Sequence, residues 1–152
     1  MLVERLKELI ADFNTGANPG EEKWHFNYGR DHWQNLQDLP DDSAELFADR
    51  NKYLMLLWQD REHKLNNYSA IEGYTFTGEM LLVVRSKISE ADYNFKYETH
   101  IRNLQDEAME INDNFTVCEN WLIKKWKEIE VENVYDTNLD GLKIQFTIEV
   151  CI

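Results

Sequence analysis

Leu142-Lys143-Ile144-Gln145-Phe146-Thr147-Ile148-Glu149-Val150-Cys151-Ile152 closes the chain, and these eleven residues alternate with period two. Leu142, Ile144, Phe146, Ile148, Val150 and Ile152 fall on one side, and Lys143, Gln145, Thr147 and Glu149 on the other. Successive side chains of a strand point to opposite faces, so this stretch is a β-strand with one buried face. It implies a sheet, and a layer to cover that face.

Just before it stands Asp136-Thr137-Asn138-Leu139-Asp140-Gly141, which matches the opening of an EF-hand calcium loop. That loop needs a bidentate glutamate where this chain has Thr147, and helices where strands are expected. Asn and Asp tolerate turn geometry, so a β-turn is the simpler reading, with Asp140-Gly141 as the hairpin signal. Further upstream, Ile129, Val131 and Tyr135 alternate with Glu130 and Glu132, a strand with an acidic outer face.

Tyr97, Ile101, Leu104, Ala108, Ile111 and Phe115 step by three and four residues, one continuous helical stripe. A core face is the simpler reading, because a sheet needs helices over it. Ser89 or Asp92 can cap this helix. Asn112-Asp113-Asn114 weakens it, and a second helical piece is expected with Cys118, Leu122 and Trp126 on a face and Trp121 beside it.

Residues 73–87 alternate, with Tyr74, Phe76, Met80, Leu82 and Val84 one way and Thr75, Thr77, Glu79 and Arg85 the other. Leu81 and Val83 break the pattern, and Gly78 marks a bulge or bend. Tyr53, Leu54, Met55, Leu56, Leu57 and Trp58 form a short run apolar on both faces, which fits a central strand. Residues 59–72 are polar and read as a loop or a hairpin extension. Trp24, Phe26 and Tyr28 fit a short strand in the otherwise poorly legible segment 14–51. At the N-terminus Leu2, Leu6, Leu9 and Phe13 share a helix face, and Asn14-Thr15-Gly16 supplies its stop. The order reads α-β-β-β-α-α-β-β. The expected fold is α+β, a single domain over residues 1–152, its mostly antiparallel sheet covered on one face by the N-terminal and central helices.

The chain has 152 residues and carries 29 Asp plus Glu against 16 Lys plus Arg, a formal charge of −13. Binding to nucleic acid runs on phosphate neutralisation by Lys and Arg, so this chain is a poor candidate for gripping DNA or an anionic membrane. No run approaches the ~20 apolar residues that span a bilayer, and the N-terminus lacks the apolar stretch of a signal peptide. A cytosol-like compartment is expected, and the Asn-x-Ser/Thr triplets at Asn67 and Asn114 then carry no glycan. Cys118 and Cys151 do not make a disulfide framework; both sit in apolar segments and read as buried free thiols. Five Trp, seven Tyr and seven Phe supply ample core, with some surplus for a partner surface.

The chemistry-bearing residues form no recognisable catalytic pattern. His25, His32, His63 and His100 lack zinc spacing; a metal site of His25 and His32 with Glu21, Glu22 and Asp31 is weaker than a reading as surface or interface histidines. With 29 carboxylates, close pairs arise by chance and single out no acid or base. The chain has no G-x-S-x-G, P-loop or G-x-G-x-x-G. No catalytic residue, cofactor or metal is therefore expected, and the protein is read as not an enzyme.

The layout resembles the tail terminator, or tail-completion, proteins of long-tailed phages. A short N-terminal helix leads into a sheet. KYLMLLW at 52–58 is followed by a polar loop and a long strand, GYTFTGEMLLVVRSKI at 73–88; then come an amphipathic helix and a closing hairpin, DTNLDGLKIQFTIEV at 136–150. The resemblance covers residues 1–13 and 52–150 and rests on order and pattern. It implies a virion subunit, assembled in the host cytoplasm, that forms a homo-oligomeric and typically hexameric ring on the tail tube. Such a ring meets tube and neck or connector proteins and lets DNA pass unbound. It implies no catalytic residues. A ring of such acidic subunits needs specific contacts, for which the polar segment 59–72 is the expected source, through Arg61, Lys64 and Tyr68. The competing reading is an acidic immunity or inhibitor protein that neutralises a basic partner.

Overall fold

The computed structural model describes residues 1–18, 23–29, 52–85, 97–117, 120–134 and 139–152. Along the chain come α1 (Leu2–Phe13), β1 (Trp24–Tyr28), β2 (Lys52–Leu65) and β3 (Ile71–Arg85). A π-helical turn, Tyr97–Ile101, then runs into α2 (Arg102–Thr116), followed by β4 (Trp121–Val134) and β5 (Leu139–Cys151). The five strands form one sheet in the order β1-β2-β3-β5-β4. β1 lies parallel to β2, and every other neighbouring pair is antiparallel. The α+β class and the mostly antiparallel sheet expected from the sequence are what the chain adopts.

The alternating face of β5 lies at the centre of the main core. Leu142, Ile144, Phe146 and Ile148 pack with Phe76, Met80 and Leu82 of β3 and Leu54 and Leu56 of β2. Leu2, Leu6 and Leu9 of α1, with Ile101, Leu104, Ala108, Ile111 and Phe115 at the second helix, complete the same cluster. Each such side chain contributes about 1.5–3 kcal/mol by leaving water. The stripe expected from Ile101 to Phe115 is thus a core face. Arg5 Nη2 donates to the Asn114 carbonyl at 3.3 Å and ties α1 to the end of α2. Asn14 then fixes β1: its Nδ2 donates to Trp24 O at 2.8 Å, and Trp24 N donates to its Oδ1 at 3.0 Å. Phe13 stacks on Trp24 at 5.3 Å.

Leu81 and Val83, the exceptions in the alternation of β3, belong to a second cluster on the opposite face. There they join Tyr53, Met55, Leu57 and Leu139. Thus β2 and β3 are apolar on both faces along one half; beyond it β3 keeps Tyr74 and Phe76 on the core face, and β2 is polar and largely exposed.

Several sequence expectations are corrected. Of the two readings of segment 59–72, the loop is excluded and the hairpin extension is what forms: β2 continues through Leu65, and the hairpin tip occupies residues 66–70. The second helical piece is absent, because Trp121 begins β4. The pairing of β4 shifts between Ile123 and Lys125. Trp121, Ile123 and Trp126 face the main core across this bulge, whereas Leu122, expected on one helix face with Trp126, is 49% exposed. The helix before it is not broken at Asn112-Asp113-Asn114 but runs to Thr116. Asp140 and Gly141 make no hairpin turn: they pair with Val84 and Val83 inside β5, and Asp140 is buried. Cys151 is exposed, not buried, and Ile152 is 77% exposed where its alternation placed it inside. Both close β5 at the hairpin end of the sheet, their amides donating to the Asn120 and Glu72 carbonyls. Cys118, the Ser89 and Asp92 caps, Glu21, Glu22, Asp31, His32 and Asp136 to Asn138 lie outside the described residues.

Gly141 is set by close approach. A Cβ there would lie 2.1 Å from the Leu82 carbonyl oxygen and 3.0 Å from Leu104 Cδ1. Gly141→Ala is expected to lower stability by about 1–3 kcal/mol through overpacking. Urea denaturation checks this as a lower midpoint, and an unchanged midpoint would contradict the tight fit.

Candidate functional site

The chemistry of the surface gathers at the hairpin end of β2 and β3. β1 accompanies β2 only from Lys52 to Leu56. Beyond that point the outer half of β2 is a sheet edge among the described residues. A bulge begins this half: Leu56 pairs with Met80 and Trp58 with Glu79, so Leu57 is the extra residue. An extra residue exchanges the faces of everything beyond it. Gln59, Arg61 and His63 therefore pair with Gly78, Phe76 and Tyr74 on the face of the main core, and Asp60, Glu62 and Lys64 take the other face.

The core-side face is basic and aromatic. The Arg61 guanidinium lies 5.1 Å from the centre of the Tyr74 ring, a cation–π contact. His63 meets the same ring edge-on at 5.2 Å. The series continues through Phe76, Trp121 and Phe115, with centroids 6.4, 6.3 and 5.5 Å apart in turn. At its foot opens a cleft of about 240 Å³, lined by Met1, Val3, Glu4, Tyr28, Gln59 and Arg61, among others. Glu4 is held by the Met1 ammonium, which also keeps its carboxyl below the usual range. Gln59 Nε2 reaches Tyr28 Oη at 3.5 Å, and its Oε1 finds no donor.

The other face is polar. Burial alone would raise the Glu79 carboxyl, but hydrogen bonds from Trp58, Lys143 and Gln145 outweigh it and hold Glu79 below its ordinary value of 4.5. Lys143 Nζ lies 3.3 Å away and Gln145 Nε2 3.0 Å away. Glu149 pairs with Lys124 at 3.7 Å.

The hairpin tip is fixed in shape. Asn66 Oδ1 accepts the Tyr68 and Ala70 amides at 2.8 and 3.0 Å, and Ser69 takes a left-handed φ of 61°. This turn presents Tyr68, 91% exposed, with exposed Leu65 and Ile71 below it. Ile152 joins them, its amide donating to Glu72 O at 3.0 Å.

Of the three residues singled out in the sequence, Arg61 and Lys64 lie on opposite faces and Tyr68 at the tip. They do not form one patch. Sequence reasoning missed Tyr74, Tyr28 and Gln59 as the neighbours of Arg61, because a one-residue bulge leaves no signature in composition. His25 sits half-buried against Tyr53 at 5.3 Å. Among the described residues, no three His, Cys, Asp or Glu side chains converge as a cation site.

A second surface lies on α2. Its outward stripe, opposite the buried one, carries Asp106, Met109, Glu110, Asp113 and Val117, all exposed. Met109 is 61% and Val117 81% exposed. On the flank of this helix Glu107 is held by Lys52, yet burial, the larger influence, raises its carboxyl above the ordinary value.

Compared with known proteins, the chain matches no family model and no curated sequence.

The lowered Glu79 carboxyl contributes stability above its ordinary pKa of 4.5, and that contribution is lost as pH falls through its folded value. Glu79→Gln is expected to cost up to about 1 kcal/mol near neutral pH and to converge with the parent in acid. Urea midpoints over a pH series check this; a cost that persists undiminished in acid would assign it to packing.

Proposed function

We propose that this chain is a structural subunit of a phage virion, of the tail-terminator or neck type, and works by assembling with copies of itself into a ring. The ring would cap a tail tube and offer its other side to the head connector. The observation that carries the reading is the hairpin end of the sheet. Leu65, Tyr68, Ile71 and Ile152 stand exposed together there, on a turn held rigid by Asn66. Clustered exposed apolar side chains mark interaction sites. A preformed tip loses little entropy on docking. The net charge of −13 suits a lumen through which DNA slides, because an acidic wall neutralises no phosphate.

The acidic stripe of α2 favours one other reading, an inhibitor that covers a basic partner by electrostatic complementarity. Oligomeric state separates the two. Size exclusion with light scattering, followed by negative-stain imaging, is expected to show closed rings of the parent protein. Tyr68→Ala combined with Leu65→Asp is expected to reduce them, with circular dichroism unchanged. A chain that stays monomeric and binds a basic protein tightly in low salt would replace assembly with inhibition.

A further inference from the structure

We infer that the basic, aromatic face around Arg61 and the cleft at its foot receive the acidic outer stripe of α2 from a second copy of this chain. The inference rests on the assembly reading above and names the two surfaces that meet.

The argument begins with the bulge at Leu57. By exchanging faces it sends Arg61 and His63 to one side and Asp60 and Glu62 to the other. The core-side face of the outer half of β2 is thereby basic. Glu4, the acidic residue at the cleft, is already taken by the Met1 ammonium. In a chain of net charge −13, a surface that sets Arg61 and His63 against aromatic walls is a local exception. The Arg61 guanidinium lies 5.1 Å from the centre of the Tyr74 ring, and its planar fork of donors suits carboxylates.

The matching surface is the outward stripe of α2. Asp106, Glu110 and Asp113 are exposed at helical spacing, and Met109 lies among them. Opposite charges thus face one another across the contact. The apolar match is as direct. A cleft of about 240 Å³ with Tyr28 and Phe76 in its wall accepts one flexible side chain, and a thioether packs well against ring edges. Met109 is the exposed side chain of that kind on the stripe. Lengths agree too. From Asp106 to Val117 the helix rises about 16 Å, and from Gln59 to Leu65 the strand spans about 20 Å.

The two surfaces are different patches of one chain, so the contact is head-to-tail. Repeated head-to-tail contacts close into a ring when the rotation permits.

The test uses two full-length variants, Arg61→Glu and Glu110→Arg, measured by sedimentation velocity over a concentration series. Each alone is expected to weaken self-association at least about tenfold. Mixed together they are expected to regain association, since half of the contacts keep the native pairing of Arg61 with Glu110 and the others bring the two reversed charges together. Met109→Ala is expected to weaken association without changing its salt dependence. If the parent chain assembles and both charge variants assemble like it, the inference is overturned and the ring reading stands. If the parent chain shows no self-association at any concentration, both fall together. Dimers formed equally by either variant alone would indicate a symmetric contact and also overturn the inference.

Discussion

Burial of the alternating face of β5 beneath two helices is the constraint on which the remaining structure depends. β5 has β3 on one side and β4 on the other along nearly its whole length. Its side-chain period is two, so a slip of one residue would turn Lys143, Gln145, Thr147 and Glu149 toward the helices. That outcome is excluded by the cost of burying unpaired polar groups. Gly141 sharpens the register further. At that position the backbone of β3 and Leu104 of α2 approach too closely for any Cβ. The strand therefore fixes where β3 lies beside it and where α2 lies above it.

With the centre fixed, bulges decide what the periphery presents. The extra residue at Leu57 sends Arg61 and His63 to the core-side face and Asp60, Glu62 and Lys64 to the other. The shift in β4 keeps Trp126 on the core after Ile123. Among the described residues β4 is also an edge strand, and Lys124, Lys125, Lys127, Glu128, Glu130 and Glu132 stand exposed along it. Charged side chains on an edge discourage strand-to-strand aggregation. One sheet edge is thereby protected, whereas the hairpin end carries exposed apolar residues on a stiff turn.

Strong periodicity was legible and weak irregularity was not. The stripe from Ile101 to Phe115 and the alternation of β5 could be read directly, because each pattern runs long enough to exclude the other period. Even the misfits in β3 were informative: Leu81 and Val83 signal a second buried face. The bulges were illegible, since one inserted residue changes spacing without changing composition. In β4 the four-residue step from Leu122 to Trp126 looked helical, and in β2 the bulge hid which residues accompany Arg61. Asp140-Gly141 misled for another reason. Glycine serves tight turns and close backbone approach alike, and the sequence does not distinguish them. Lys64 was grouped with Arg61 by nearness in sequence, which the alternation of a strand contradicts.

Electrostatics ties these features to function. A chain of net charge −13 repels its own copies at long range, so association needs a local patch of opposite sign with an apolar anchor. In the assembly proposed above, the face around Arg61 would supply the first and Met109 of a neighbouring α2 the second. The most direct measurement is an electron cryo-microscopy reconstruction of the assembled protein. The expected result is a closed ring in which Met109 of each subunit enters the Tyr28 and Phe76 cleft of the next. A ring whose subunits meet elsewhere, with this cleft open to solvent, would contradict it.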